Sequence, residues 1–256
     1  MLLCLDIGNT QMYGGVFEKD NLIFQFRKSS RAMFSSDEIG IFLRSVLREN
    51  NIEHLSIKNI AMCSVVPDVV YSVRSGVIKY FGKEPFILQA GVKTGLKIKY
   101  KNPLEVGSDR ISNAIAAVNL YPDKNIITID FGTATTFDVV NKNKEYLGGA
   151  ILPGIKISIE ALESKTAKLS SVEIVVPEKV VGKSTIESIQ SGLFFGQLGM
   201  VKEITSRIIM EEFTGQDVII IGTGGFVHLF QNENLFNSIL PELVLRGLLY
   251  SFFLNN

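Results

Sequence analysis

Two short segments of this chain carry nearly the same chemistry: Leu5-Asp6-Ile7-Gly8-Asn9-Thr10 near its start and Ile129-Asp130-Phe131-Gly132-Thr133-Ala134-Thr135-Thr136 in its middle. In each, an apolar run (Leu2 to Leu5, Ile126 to Ile129) delivers an aspartate to the end of a strand. A glycine there lets the backbone bend close, and Asn or Thr adds amide and hydroxyl donors. Such a turn suits a phosphate, and its carboxylate suits a cation that bridges phosphate oxygens. Two of them predict a grip on a polyphosphate from opposite sides.

The elements that must position these turns repeat as well. After the first come Gly14-Gly15-Val16-Phe17, the polar turn Glu18-Lys19-Asp20-Asn21 and a strand from Leu22 to Phe26. After the second come Phe137 to Val140, the turn Asn141-Lys142-Asn143-Lys144 and a strand from Tyr146 onward. The pattern predicts a duplicated β-hairpin. Strands and helices alternate beyond the first hairpin. Asp37 to Asn50 reads as a helix capped by Ser36 or Asp37, Asn59 to Val65 as a buried strand, and Val69 to Phe81 as a helix broken by Gly82. Pro85 to Leu88 is a short strand and Asp109 to Leu120 a helix that joins the halves. This βαβ alternation predicts mixed sheets with crossover helices, and ligands beyond the carboxyl ends of strands. The halves divide as an N-terminal lobe, 1–118, and a C-terminal lobe, 119–256, with no linker between them, so tight packing around a shared cleft is expected.

Composition narrows the class. The 256 residues are 46% hydrophobic, ample for a packed core, and 26 basic residues cancel 26 acidic ones. These charges are scattered, which argues against nucleic acid and against a polybasic membrane surface. Cys4 and Cys63 lie far apart in apolar runs and read as reduced core thiols. The N-terminus enters a strand at once, without a signal-peptide pattern, and no apolar stretch is long enough to span a bilayer. A cytoplasmic protein is expected. His54 and His228 are isolated, no Cys/His spacing suits zinc, and no Gly-x-Ser-x-Gly elbow occurs.

Two further glycine motifs carry weight. Gly222-Thr223-Gly224-Gly225 follows the apolar strand Val218 to Ile221 and reads as a strand-to-helix turn suited to adenosine, or as a tight turn alone. It is not a dinucleotide fingerprint, because Val227 stands where the third glycine belongs. Gly182-Lys183-Ser184-Thr185 has the tail of a P-loop, but Pro177 occupies the place of its first glycine.

Taken in order, Asp6-Ile7-Gly8-Asn9-Thr10, Gly107-Ser108-Asp109-Arg110, Asp130 to Thr136, Gly148-Gly149-Ala150-Ile151-Leu152-Pro153-Gly154 and Gly222 to Gly225 resemble the type III pantothenate kinases. The likeness continues through Thr166-Ala167-Lys168-Leu169, Gly182 to Thr185, Ser191-Gly192 and Pro241 to Leu248, and so covers nearly the whole chain. It departs at Ser170, where a proline is common. The resemblance implies an α/β fold of duplicated ribonuclease H-like lobes, the actin, Hsp70 and sugar-kinase architecture. It also implies a homodimer that phosphorylates pantothenate with ATP, the first step toward coenzyme A.

The resemblance assigns roles. Asp109 matches the family's base, a carboxylate that accepts the proton of the attacking hydroxyl. A helix-starting Asp is also commonly an N-cap. Tyr100, Gly107, Ser108 and Arg110 match substrate contacts, and Thr185 matches a hydroxyl lent by the partner subunit. Asp6, Ile7, Gly8, Asn9, Thr10, Gly132, Thr133, Gly222, Gly224 and Gly225 match the ATP site. Asp6 and Asp130 fall on the cation side, with Mg²⁺ on the nucleotide and a monovalent ion, K⁺ or NH4⁺, near Asp130. Ile155, Ile159 and Leu162 are candidates for packing against a second subunit. Other expectations from a different class are a nucleotide-binding accessory factor in transcription without kinase activity, and a kinase of the same fold for another small alcohol.

Overall fold

One strand plan occurs twice in the computed structural model, which describes residues 1–30, 34–165 and 172–256. The first sheet holds β1 (Leu2–Ile7), β2 (Gln11–Glu18), β3 (Asn21–Ser29), β4 (Asn59–Ser64) and β5 (Phe86–Ile87) in the order β3-β2-β1-β4-β5. The second holds β6 (Lys97–Ile98), β7 (Asn125–Phe131), β8 (Ala134–Val140), β9 (Glu145–Pro153), β10 (Val218–Thr223) and β11 (Ser238–Ile239) in the order β11-β10-β7-β8-β9-β6. Apart from the edge strand β6, the two orders superpose strand for strand. In each, the central strand runs antiparallel to the next one in sequence and parallel to a later one: β1 with β2 and β4, β7 with β8 and β10.

The repeat extends to irregularities. The register slips between Val16 and Phe17 in the first hairpin and between Val139 and Val140 in the second. Each slip is a bulge just before a polar turn, and each turn holds a lysine at positive φ, Lys19 at 54° and Lys144 at 59°. The duplicated hairpin expected from the sequence is therefore present in detail.

The chain forms two compact units. One comprises Met1–Leu96, Tyr100–Leu120 and Leu243–Asn256; the other comprises Lys97–Lys99 and Tyr121–Glu242. The first contains helices α1 (Ser36–Glu49), α2 (Pro67–Phe81) and α3 (Ser108–Leu120), and the second contains α4 (Ile155–Lys165) and α5 (Thr185–Glu212). The last helix, α6 (Leu243–Asn255), belongs to the first unit, whereas the sequence reading placed it in the C-terminal lobe with the rest of 119–256. Its residues explain the difference. Leu243, Val244, Leu245, Leu248, Leu249 and Phe252 are all buried, so the helix is apolar on most of its circumference and needs cover on several sides. It packs on α3, β1 and β4. At Gly247 it approaches so closely that any side chain would overlap the Ser112 carbonyl.

Each unit has its own core. In the first, Leu3, Leu5, Ile7, Met12 and Val16 from the sheet meet Ile39, Leu43 and Leu47 of α1 and Val69, Val73 and Val77 of α2. The cap of α1 differs from the expected Ser36 or Asp37. Ser35 and Glu38 form a reciprocal capping box, with Glu38 N–H donating to Ser35 Oγ at 3.2 Å and Ser35 N–H donating to Glu38 Oε2 at 2.7 Å. Asp37 instead pairs with Lys79 at 2.6 Å. Gly82 ends α2 in the left-handed conformation, as expected. In the second unit Phe131 stacks on Phe230 at 4.7 Å, and Phe230 stacks on Phe194 of α5 at 5.2 Å. This aromatic column anchors the residue next to Asp130. Ile155 and Ile159 lie in that unit's interior rather than on a face open to a second subunit; only Leu162 of the three candidates is exposed.

Candidate active site

In the first unit the chemistry gathers where β1 and β4 end. The parallel register pairs Asp6 with Cys63 and Ile7 with Ser64. The Cys63 thiol donates to Asp6 Oδ1 at 3.3 Å. Burial, and then the negative charges of Asp6 and Asp109, push the Cys63 thiol well above its ordinary range. Asp6 touches this sulfur directly, and Asp109 acts on it through its charge alone. Val65 N–H donates to Ile7 O at 3.2 Å, and Ser108 Oγ donates to Ser64 O at 3.0 Å, so the start of α3 is stitched to the end of β4. Ile7 gives its side chain to the core, leaving its backbone to the turn.

Asp109 lies in the first turn of α3, partly buried. The Arg110 N–H donates to its Oδ1 at 2.8 Å, so the carboxylate does serve the helix start as an N-terminal aspartate commonly does. Desolvation nevertheless dominates and raises its pKa, against that hydrogen bond and the Arg110 charge, which lower it. A carboxylate kept short of water is a better proton acceptor than an exposed one. A Cβ at Gly107 would stand 2.5 Å from Asp109 Oδ1, so a side chain there would displace the carboxylate. Arg110 is itself buried, at 8% exposure. Tyr100, half-buried, precedes the short turn Pro103–Glu105, which leads into α3.

The second unit assembles a different group at the end of β7. Asp130 pairs with Thr136 on one side and Thr223 on the other. Gly224, at φ 91°, lies under the Asp130 carboxylate and the Phe131 backbone, where a side chain would have no room. Phe226 N–H donates to Phe131 O at 3.0 Å. The Gly222 to Gly225 turn and the Asp130 to Thr133 turn are thus one assembly. A short 3₁₀ turn, Val227–Phe230, follows the glycines where the sequence reading expected a helix.

The turn glycines use their own donors. Gly8 N–H is bonded to Gln11 O at 3.0 Å and Gly132 N–H to Ala134 O at 3.0 Å. Their contribution is close backbone approach, and Asn9, Thr10 and Thr133 carry the turns' other polar groups.

Two contributors, Cys63 and Gln197, escaped the sequence reading, and Gly154 entered it only within the Gly148 to Gly154 motif. Cys63 was read as a core thiol and becomes visible only through the β1 and β4 register. Gly154 N–H donates to Thr133 O at 3.2 Å, which seats the start of α4 against the second turn. Gln197 of α5, fully buried, donates through Nε2 to Thr135 Oγ1 at 2.6 Å. Thr185 is not brought to that turn: it is exposed in the first turn of α5, twelve residues from Gln197, about 18 Å along a helix axis. Ser184 caps this helix by accepting from Glu187 N–H, and no strand occupies 172–184, in line with the P-loop already rejected on Pro177. The Thr166 to Leu169 motif and Ser170 lie outside the described residues.

No group of three or more His, Cys, Asp or Glu side chains among the described residues forms a metal cage. One carboxylate per turn suits a divalent ion that arrives on phosphate oxygens and keeps most of its own ligands. Both cysteines are free and buried. Among the described residues no helix is long and apolar enough to cross a membrane.

A family profile described as type III pantothenate kinase matches residues 2–207. A protein of Legionella pneumophila strain Paris, named type III pantothenate kinase, is 57% identical over 248 residues, covering 97% of this chain and 96% of that protein. Among solved structures, a Sinorhizobium meliloti protein assigned as a 2-dehydro-3-deoxygalactonokinase superposes with a TM-score of 0.59 at 11% identity, covering 98% and 96% of the two chains. A Campylobacter jejuni protein assigned to the Baf family of transcriptional activators gives 0.58 at 17% identity over 98% and 97%. At such identities these two show the fold alone, that of sugar kinases and actin-like ATPases.

Proposed function

We propose a division of labour among the residues of a chain that belongs to the type III pantothenate kinase family and transfers phosphate from ATP to pantothenate, on the route to coenzyme A. The observation that carries it is the partly buried carboxylate of Asp109 at the start of α3, which Ser108 ties to the end of β4, the strand paired in register with Asp6.

In this reading Asp109 accepts the proton of the pantothenate hydroxyl as that oxygen bonds to phosphorus. Phosphoryl transfer asks little covalent chemistry of a protein and much positioning. Arg110 supplies a permanent positive charge from a fixed position, and Tyr100, Gly107 and Ser108 shape the acceptor pocket. Asp6, Asn9 and Thr10 serve the phosphates in the first unit. Asp130, Gly132 and Thr133 do so in the second, where Gly222, Gly224 and Gly225 form the turn for adenosine. Mg²⁺, carried on the nucleotide and held by Asp6, would neutralise phosphate charge; K⁺ or NH4⁺ would sit near Asp130. The protein is proposed to act as a cytoplasmic homodimer, without nucleic acid, in which Thr185 completes the partner's pocket.

The raised pKa of a partly buried Asp109 suits a proton acceptor, which a factor that only binds nucleotide does not need, so the kinase reading is preferred. The test is incubation of the purified protein with ATP, Mg²⁺ and pantothenate, scored for 4'-phosphopantothenate, beside Asp109→Asn. Equal turnover by both proteins would remove Asp109 from its role.

A further inference from the structure

Cys63 has no part in the division of labour above, yet it makes a polar contact with one of its central residues. It is fully buried at the penultimate position of β4, in register with Asp6, and its Sγ lies 3.3 Å from Asp6 Oδ1. That distance is within the range for a thiol donating to an oxygen. The ladder around it is fixed: six consecutive pairs join β1 to β4, from Leu2 with Asn59 to Ile7 with Ser64. Ser64 is bonded in turn to Val66 O at 3.1 Å and accepts from Val66 N–H at 3.0 Å.

The duplicated fold supplies an internal comparison. Thr223 occupies the place of Cys63 in the second unit, in register with Asp130. Its hydroxyl donates to Leu240 O at 2.7 Å. The donor beside the strand-end aspartate is therefore turned onto the carboxylate in the first unit and onto a backbone carbonyl in the second.

We propose that Cys63 is a positioning residue for phosphoryl transfer: its S–H holds Oδ1 of Asp6 and so fixes the orientation in which that carboxylate meets the metal–nucleotide complex. The inference rests on the reading that Asp6 serves the cation side. A sulfur atom suits the place, because it fills core volume as an apolar group while presenting a single donor.

The test uses full-length protein and reads MgADP affinity by calorimetry, the half-saturating Mg²⁺ concentration in turnover, KM for pantothenate, and the unfolding temperature. Cys63→Ala and Cys63→Val remove the donor, and Val also fills the sulfur's volume. Both are expected to weaken MgADP binding and raise the Mg²⁺ requirement about fivefold, the scale of one weak hydrogen bond to a charged group, with KM for pantothenate unchanged. Cys63→Ser restores a donor and should recover most of the loss. If Cys63→Val matches the parent protein in MgADP affinity, or if Ser is as impaired as Val, the bond has no positioning role. Asp6→Asn separates the premises. Loss of MgADP affinity in Asp6→Asn alone leaves Asp6 in its role and removes Cys63; affinity retained in Asp6→Asn removes both.

Discussion

The Asp130 carboxylate occupies the space where residue 224 would carry a side chain, and so ties the strand-end turn of β7 to the glycine turn after β10. Gly224 also has φ 91°, a conformation that side chains disfavour. Gly224→Ala should therefore be penalised twice, by strain and by displacement of Asp130. The expected loss of stability is on the order of 1–3 kcal/mol, read in denaturant unfolding, with weakened ADP binding. Gly225→Ala meets nothing within contact distance and should unfold like the parent protein. Equal behaviour of the two variants would refute the Asp130 and Gly224 coupling.

Asp109→Asn separates chemistry from binding. Removing a general base costs about 10²- to 10⁴-fold in turnover, while ADP affinity should stay close to that of the parent. The stability consequence has the opposite sign. A carboxylate with a raised pKa in the folded state destabilises the fold once ionised, so stability is highest below the ordinary aspartate range and falls as pH rises through the raised value. Asp109→Asn should thus unfold at the same or a higher temperature than the parent at neutral pH, with the difference closing in acid. Parent turnover should fall as pH drops through the same raised pKa. A large loss of stability in the Asn variant at neutral pH would count against desolvation as the dominant influence.

Much of this was legible in the sequence, for reasons that are local. Apolar runs ending in Asp-x-Gly predicted both central strands, and polar turns at matched spacing predicted both hairpins, because strand periodicity and turn chemistry are written over a few neighbouring residues. Long-range choices were not legible. The place of α6 depends on Gly247 meeting Ser112, far away in the sequence, and an apolar helix does not say which neighbours will cover it. Ile155 and Ile159 looked like interface residues, but an apolar stripe has the same spacing whether it faces a partner or its own core. The contact of Cys63 with Asp6 required the parallel register of two strands more than fifty residues apart.

The monovalent ion proposed near Asp130 gives a third prediction. Such ions are discriminated by the size and number of their oxygen ligands, so Na⁺ should not replace K⁺ at equal ionic strength. Exchange of K⁺ for Na⁺ is expected to lower kcat/KM for ATP severalfold, with NH4⁺ behaving like K⁺. Identical rates in all three salts would take the ion out of the site.

Thr185 tests whether the pocket is shared between subunits. It is exposed at the start of α5, while the helix reaches the Asp130 turn through Gln197, about 18 Å further along. A hydroxyl so placed can serve a pocket on another copy. If it does, Thr185→Val and Asp109→Asn fail in different chains of the same pocket. Mixing the two inactive proteins under conditions that allow subunit exchange produces one complete pocket in each hybrid dimer: an intact Asp109 from one chain and an intact Thr185 from the other. With random pairing half the dimers are hybrids, each with one working pocket of two, so activity should return to roughly a quarter of the parent value. Mass spectrometry of the mixture confirms that hybrids have formed. Hybrids without recovered turnover would mean that each chain builds its pocket alone, and Thr185 would lose its place in the mechanism.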